Sequence, residues 1–278
     1  QIPNTFRRLF GEGALSAAFI PAYTQAERVS KEHADRLASL TLAVLAVAAG
    51  CGPSPTGTAE RAAPEPETVV QGLDTPWAVA FLPDGRMIFT ERGGRVSVLE
   101  NGTRRMVANL AVEETGEGGL HGIAVDPEFP RNRYVYLYYT HSKANRVSRF
   151  VLREGGLGEE RIILDGIPRA RFHNGGRIRF GPDGKLYITT GDALEPESAQ
   201  ESDSLAGKIL RLNPDGSVPS DNPFGNAVWA YGLRNPQGID WNSGGQLYAS
   251  NHGPNRRDGI DRIERGANYG WPATCDER

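Results

Sequence analysis

The chain has 278 residues, 38% hydrophobic and 23% charged, a balance ordinary for a folded soluble domain. Its net charge of −3 gives no electrostatic basis for binding nucleic acid and too weak a field to steer a charged partner. The 34 glycines and 19 prolines favour turns over long helices, and Cys51 and Cys275 make neither a disulfide framework nor a zinc site.

Residues 1–36 stand apart from the rest. The stretch FRRLFGEGALSAAFIPAYTQ resembles a loop-to-helix segment of the lipid II flippase family. A flippase needs many apolar spans of ~20 residues each, so this piece is expected to be an artefactual fragment without transport activity. An ordinary amphipathic helix is the alternative. Residues 37–51 form an apolar run, Leu37 to Gly50, too short for a transmembrane helix. The run has the length of a signal-peptide core behind Arg36 and closes on small residues and Cys51, as bacterial lipoprotein signals do. Cys51 is therefore expected to carry a lipid anchor, which places the protein in the periplasm or at the cell surface. A buried helix with a chance cysteine is the other reading. Residues 52–67, GPSPTGTAERAAPEPE, lack large apolar side chains and read as a flexible tether.

From residue 68 a pattern recurs. Its copies are Trp77 to Gly102, Gly122 to Thr140, Gly176 to Asp192 and Gln237 to Gly253. Each has a short apolar strand, a turn of Pro, Asp, Gly or Asn, and a strand rich in Tyr, Ile, Leu and Val. Asp-Gly and Gly-Gly supply the positive φ that tight hairpins need. The turns at Pro83, Pro127, Pro182 and Asn242 lie 44, 55 and 60 residues apart. Spacings of that order, with several strands each, predict propeller blades over 68–278. A β-sandwich is the runner-up, but its turns recur at shorter intervals.

Five segments in order carry a resemblance to a known family: TPWAVAFLPDGRMIFTERGGRV, EGGLHGIAVDPEF, HNGGRIRFGPDGKLYITTGD, YGLRNPQGIDW and NHGPNRRDGIDRIERGANYGWP. They span Thr75 to Pro272 and resemble the soluble glucose/sorbosone dehydrogenases. The resemblance implies an all-β fold, a six-bladed β-propeller with about four blades present, preceded by a helical or signal-like N-terminal segment. It also implies pyrroloquinoline quinone (PQQ) and Ca2+ as cofactors and aldose sugars as substrates oxidised at C1. The export signal suggests a periplasmic or membrane electron acceptor.

Site residues follow from the same resemblance. His173, in RFHNGGR, falls on the family's catalytic base, a task that suits a side chain whose pKa lies near working pH. Phe172 stands where some members have Asp. Glu117 takes a position held elsewhere by Gln and is expected to bond the histidine or the substrate; a loop acid with no role is the alternative. Arg234 and Asn235 match the pair that contacts the quinone oxygens, where a fixed cation stabilises charge built up on reduction. Gly253 and Pro254 match carbonyls that bind the calcium, with Asp258 behind them. Arg256 and Arg257 are expected near the carboxylates of PQQ. His121 is read as structural.

A closed ring of this type needs more than four blades. The sequence is therefore expected to stop before its natural C-terminus, leaving an open sheet edge and weaker PQQ binding. Two other functions compete with the dehydrogenase. One is a non-catalytic ligand-binding propeller. The other is a calcium-dependent lactonase-type hydrolase, for which Asp192, Asp258 and Asp261 are the candidate metal carboxylates.

Overall fold

A computed structural model of the protein describes residues 66–255 and 257–273. The flippase-like and signal-like segments, Cys51, nearly all of the tether, Arg256 and Cys275 lie outside the described residues.

Each recurring sequence pattern contains the first two strands of an antiparallel meander, and the first copy also takes in the third. The first sheet holds β1 (Pro76–Phe81), β2 (Met87–Glu91), β3 (Arg95–Glu100) and β4 (Thr103–Asn109). The second holds β5 (Leu120–Val125), β6 (Tyr134–His141), β7 (Ala144–Arg153) and β8 (Gly156–Ile167). The third holds β9 (Ile178–Phe180), β10 (Leu186–Thr190), β11 (Lys208–Leu212) and β12 (Val228–Tyr231). The fourth has three described strands, β13 (Pro236–Trp241), β14 (Leu247–Asn251) and β15 (Gly259–Ile263). The first strands neighbour one another, β1 beside β5, β5 beside β9 and β9 beside β13. These are four blades of a β-propeller.

The turn residues fulfil their sequence signature. Asp84 and Asp183 each accept the backbone N–H two residues on through Oδ1, and Asn242 does the same for Gly244. Gly85, Gly184 and Gly245 follow at φ between 69° and 89°. The second blade departs from this. Its PEFPRN segment closes through a one-turn helix, Phe129–Asn132, and Arg133 at φ 61°. Asp126 Oδ1 holds that turn by accepting the Glu128 N–H at 2.8 Å and the Asn132 amide at 2.9 Å.

Alternate residues of a strand point to opposite faces, so a middle strand feeds two cores. In β6, Val135, Leu137 and Tyr139 pack into the core shared with the first blade. Tyr136 and Tyr138 pack into the core shared with the third. In β10, Leu186 and Ile188 face the second blade while Tyr187 faces the fourth. The Tyr136 hydroxyl lies 2.9 Å from both Asp126 Oδ2 and Pro214 O, which ties the second blade to the third.

One buried polar group among these cores has a measurable signature. His121 is 1% exposed, stacked between Trp77 and Tyr138 at centroid distances of 5.0 and 5.7 Å. Its Nε2 bonds the Glu117 carbonyl at 2.7 Å, and its Nδ1 has no partner. Burial pushes the His121 pKa down to about 4. The unfolded chain then takes up a proton near pH 6.5 that the folded chain refuses until about pH 4. Stability contributed by this group is therefore lost as pH falls through that window, by about 3 kcal/mol in total. Urea unfolding from pH 7 to 4.5 is expected to show a steeper loss in the wild type than in His121→Leu; parallel slopes would refute the assignment.

Candidate active site

In an up-and-down blade, the link entering the first strand and the loop joining the second and third strands emerge at the same end. The β8–β9 link carries His173 and the β10–β11 loop carries Asp192. The two meet there. His173 Nδ1 lies 2.8 Å from Asp192 Oδ1, with side-chain exposures of 14% and 1%. Asp192 is an acceptor, so the pairing puts the proton on Nδ1 and leaves the Nε2 lone pair unprotonated in the neutral ring. Asp192 Oδ2 accepts the Trp271 indole N–H at 2.8 Å, and its Oδ1 also takes the Leu194 N–H at 2.9 Å.

The backbone around the pair is strained and tightly packed. His173, Ala193 and Leu194 have φ of 61°, 53° and 64° without being glycine. Such conformers persist where the surroundings over-determine them, and they cluster at functional sites. Two glycines make the approach possible. A Cβ on Gly191 would lie 2.0 Å from the His173 carbonyl, and one on Gly175 would lie 2.6 Å from the Thr189 carbonyl.

Glu117 is brought to His173, but to its main chain. Its Oε2 accepts the His173 backbone N–H at 2.8 Å. The carboxylate on the ring is Asp192. Phe172 is 42% exposed, with the Arg171 guanidinium 5.4 Å from its ring centre. Asn235 is buried, and its Oδ1 accepts the Gly175 N–H at 3.0 Å, so it braces the loop after His173.

Beside the pair lies a cleft of about 200 Å³. Arg234, Gly253, Pro254 and Arg257 line it with Asp261 and Trp271. Asp192 N–H donates to the Arg234 carbonyl at 2.8 Å, which joins the His173–Asp192 pair to the segment that carries the Arg234 guanidinium. The Arg234 guanidinium lies 5.5 Å from the Trp271 ring centre and donates to the His252 carbonyl at 3.2 Å. Asp258 is exposed; its Oδ1 accepts the Gly253 N–H at 3.1 Å and lies 3.6 Å from His252 Nδ1. It therefore orients the Gly253 turn from behind.

The structure separates the three carboxylates grouped above as a hydrolase metal set. Asp192 serves His173 and Trp271, Asp258 serves Gly253, and Asp261 lines the cleft. Sequence reasoning gave no role to Trp271, Asn251 or Tyr269, which also line the cleft. The signal for Trp271 was its place in the quoted NYGWP segment.

The cleft's donor set suits a flat anionic quinone with a bound divalent cation. Arg234 and Arg257 supply positive charge and Trp271 an aromatic wall. The Gly253 and Pro254 carbonyls are the candidate hard oxygen ligands, and that of Pro254 also accepts the Arg257 N–H at 3.1 Å.

A sequence model of the glucose/sorbosone dehydrogenase family matches residues 73–277. A second, for the lipid II flippase MurJ, matches residues 1–51 and so runs through the apolar segment read above as an export signal. A glucose dehydrogenase-type oxidoreductase of Thermus thermophilus is similar at 46% identity and TM-score 0.72, over 74% of this chain and 67% of that one. The PQQ-bound aldose sugar dehydrogenase of Streptomyces coelicolor gives 39% identity and TM-score 0.72, over 74% and 65%. The aldose sugar dehydrogenase YliI of Escherichia coli is 33% identical over 226 residues, 74% of this chain. This chain spans 61% of that relative's length. Over the four blades and the cleft they build, the chain belongs to the glucose/sorbosone dehydrogenase family.

Proposed function

We propose that the protein is a PQQ-dependent dehydrogenase that oxidises aldose sugars at C1 to lactones, with Ca2+ beside the quinone. The observation that carries this reading is the His173–Asp192–Trp271 chain of hydrogen bonds at the edge of a cleft holding two arginines. A mere binding surface has no need of a histidine whose tautomer is fixed by a buried carboxylate. The lactonase reading loses its metal ligand Asp192 to that chain.

The chain's own residues define the proton path. His173 Nε2 is the acceptor for the C1 hydroxyl proton. Asp192, 2.8 Å from Nδ1, stabilises the imidazolium that results. The Trp271 N–H on Oδ2 keeps the carboxylate in register with the ring. PQQ, when bound, supplies the two-electron acceptor for the hydride leaving C1. Arg234 and Arg257 would hold its anionic groups, and the Gly253 and Pro254 carbonyls would hold the calcium. Glu117 and Asn235 fix the loop on which His173 stands.

Dye reduction by the PQQ- and Ca2+-loaded protein with a panel of aldoses tests the reading. Sugar-dependent reduction is expected, and His173→Ala should lower kcat by roughly 10²- to 10⁴-fold. Saturable PQQ binding without reduction of dye by any aldose would instead favour the non-catalytic propeller. Asp192→Asn offers one oxygen to three N–H donors and sets an amide N–H₂ against at least one of them. Its kcat should fall by roughly 10²-fold while the sugar KM moves little, and an unchanged kcat would remove Asp192 from the chemistry. Chelation of calcium is expected to weaken PQQ binding in the absorbance spectrum, with recovery on adding Ca2+ back.

A further inference from the structure

Lys208 opens β11 and is fully buried. Among the described residues no carboxylate pairs with it. Its Nζ instead donates to three backbone carbonyls, Ser198 at 2.9 Å, Ala199 at 3.0 Å and Ala206 at 2.6 Å. Burial of the ammonium lowers its pKa to about 8, with Glu201 and Asp203 acting the other way. A buried cation satisfied by carbonyl dipoles is a poor way to gain stability, because desolvation opposes it. What the arrangement does give is a fixed shape. The three carbonyls belong to both ends of one excursion of the β10–β11 loop, so a single side chain cinches it.

That loop touches the active site at two places. Gln200 follows Ala199 directly. Its amide exchanges hydrogen bonds with the Asn268 amide at 3.1 and 2.8 Å and donates to the Trp271 carbonyl. Trp271 in turn donates its indole N–H to Asp192, which holds His173. At the other end, Gly207 N–H donates to the Gly191 carbonyl at 2.8 Å, one residue before Asp192. The Ala199 carbonyl also accepts the Gly232 N–H at 2.9 Å, and Gly232 lines the cleft.

We propose that Lys208 is a positioning residue: it locks the 198–206 loop, and through Gln200 and Trp271 it holds Asp192 against His173. The kinetic side of this inference rests on the dehydrogenase reading; the structural side does not. Lys208 touches neither the cleft nor the base, so its effect is transmitted by geometry alone.

The test reads Trp271 directly. The chain has four tryptophans, Trp77, Trp229, Trp241 and Trp271, whose indole N–H resonances are assigned by single Trp→Phe variants. Lys208→Met is expected to speed solvent exchange of the Trp271 indole N–H by about tenfold, as one hydrogen bond loosens, while Trp229 and Trp241 stay unchanged. In the PQQ-loaded enzyme the same variant should lower kcat by about tenfold with the sugar KM unchanged. A folded Lys208→Met with wild-type Trp271 exchange would overturn the proposal. If Lys208→Met does not fold, Gln200→Ala cuts the same chain one step further on and must reproduce the Trp271 change; wild-type exchange there overturns it equally. A wild-type protein that binds PQQ saturably yet reduces no dye defeats the dehydrogenase reading, but leaves the indole exchange to decide the role of Lys208.

Discussion

The middle strands β6 and β10 have almost no solvent face. They are sandwiched between neighbouring sheets, so nearly every side chain along them must suit one core or the other. That constraint accounts for the near-continuous apolar and aromatic runs YVYLYYT and LYITT, and for the polar outer strands β4 and β8. It also dictates where chemistry resides. With the faces of the inner blades committed to packing, polar groups gather where the chain leaves the sheet. The inter-blade links and the loops between second and third strands supply His173, Asp192, Arg234, Gly253, Pro254 and Arg257, while Asn251 and Asp261 sit on β14 and β15 and Trp271 follows β15.

Within that cluster the buried carboxylate of Asp192 is the junction. It receives a ring nitrogen from one link, an indole from beyond β15 and a backbone N–H from its own loop. A charge so enclosed is tolerable because its oxygens have donors on several sides. The same crowding explains the left-handed backbone of His173, Ala193 and Leu194, since the chain must bend sharply to bring a ring and a carboxylate together across two glycines. Strain here is the companion of a preset geometry.

The blades were readable because their determinants are local. Asp-Gly turns and short apolar runs carry their meaning within a few residues, and the second blade's helical turn is the one place where PEFPRN replaces that code. The site was readable in part. His173, Arg234, Gly253 and Pro254 stood out through a resemblance spread over five segments, and the structure places the last three in one cleft next to the first. Asp192 was legible only as a candidate metal carboxylate of the hydrolase reading, because its place beside His173 depends on a 2.8 Å contact across 19 residues that no spacing rule encodes. Asn235 and Glu117 show the converse. Both residues reach the His173 loop, but by main-chain hydrogen bonds, which composition and order do not reveal.

The origin of the site residues by blade has a bearing on how such a protein diversifies. His173 and Asp192 flank the same sheet, whereas the cleft is drawn mainly from β14, β15 and the turn between them. The His173–Asp192 pair and the cleft thus sit on adjacent but distinct modules, joined by the Trp271 indole and the Asp192–Arg234 backbone hydrogen bond. Change in the β14–β15 turn can reshape what the cleft accepts while His173 and Asp192 stay as they are. One propeller can in this way alter what its cleft holds without rebuilding the histidine–carboxylate pair.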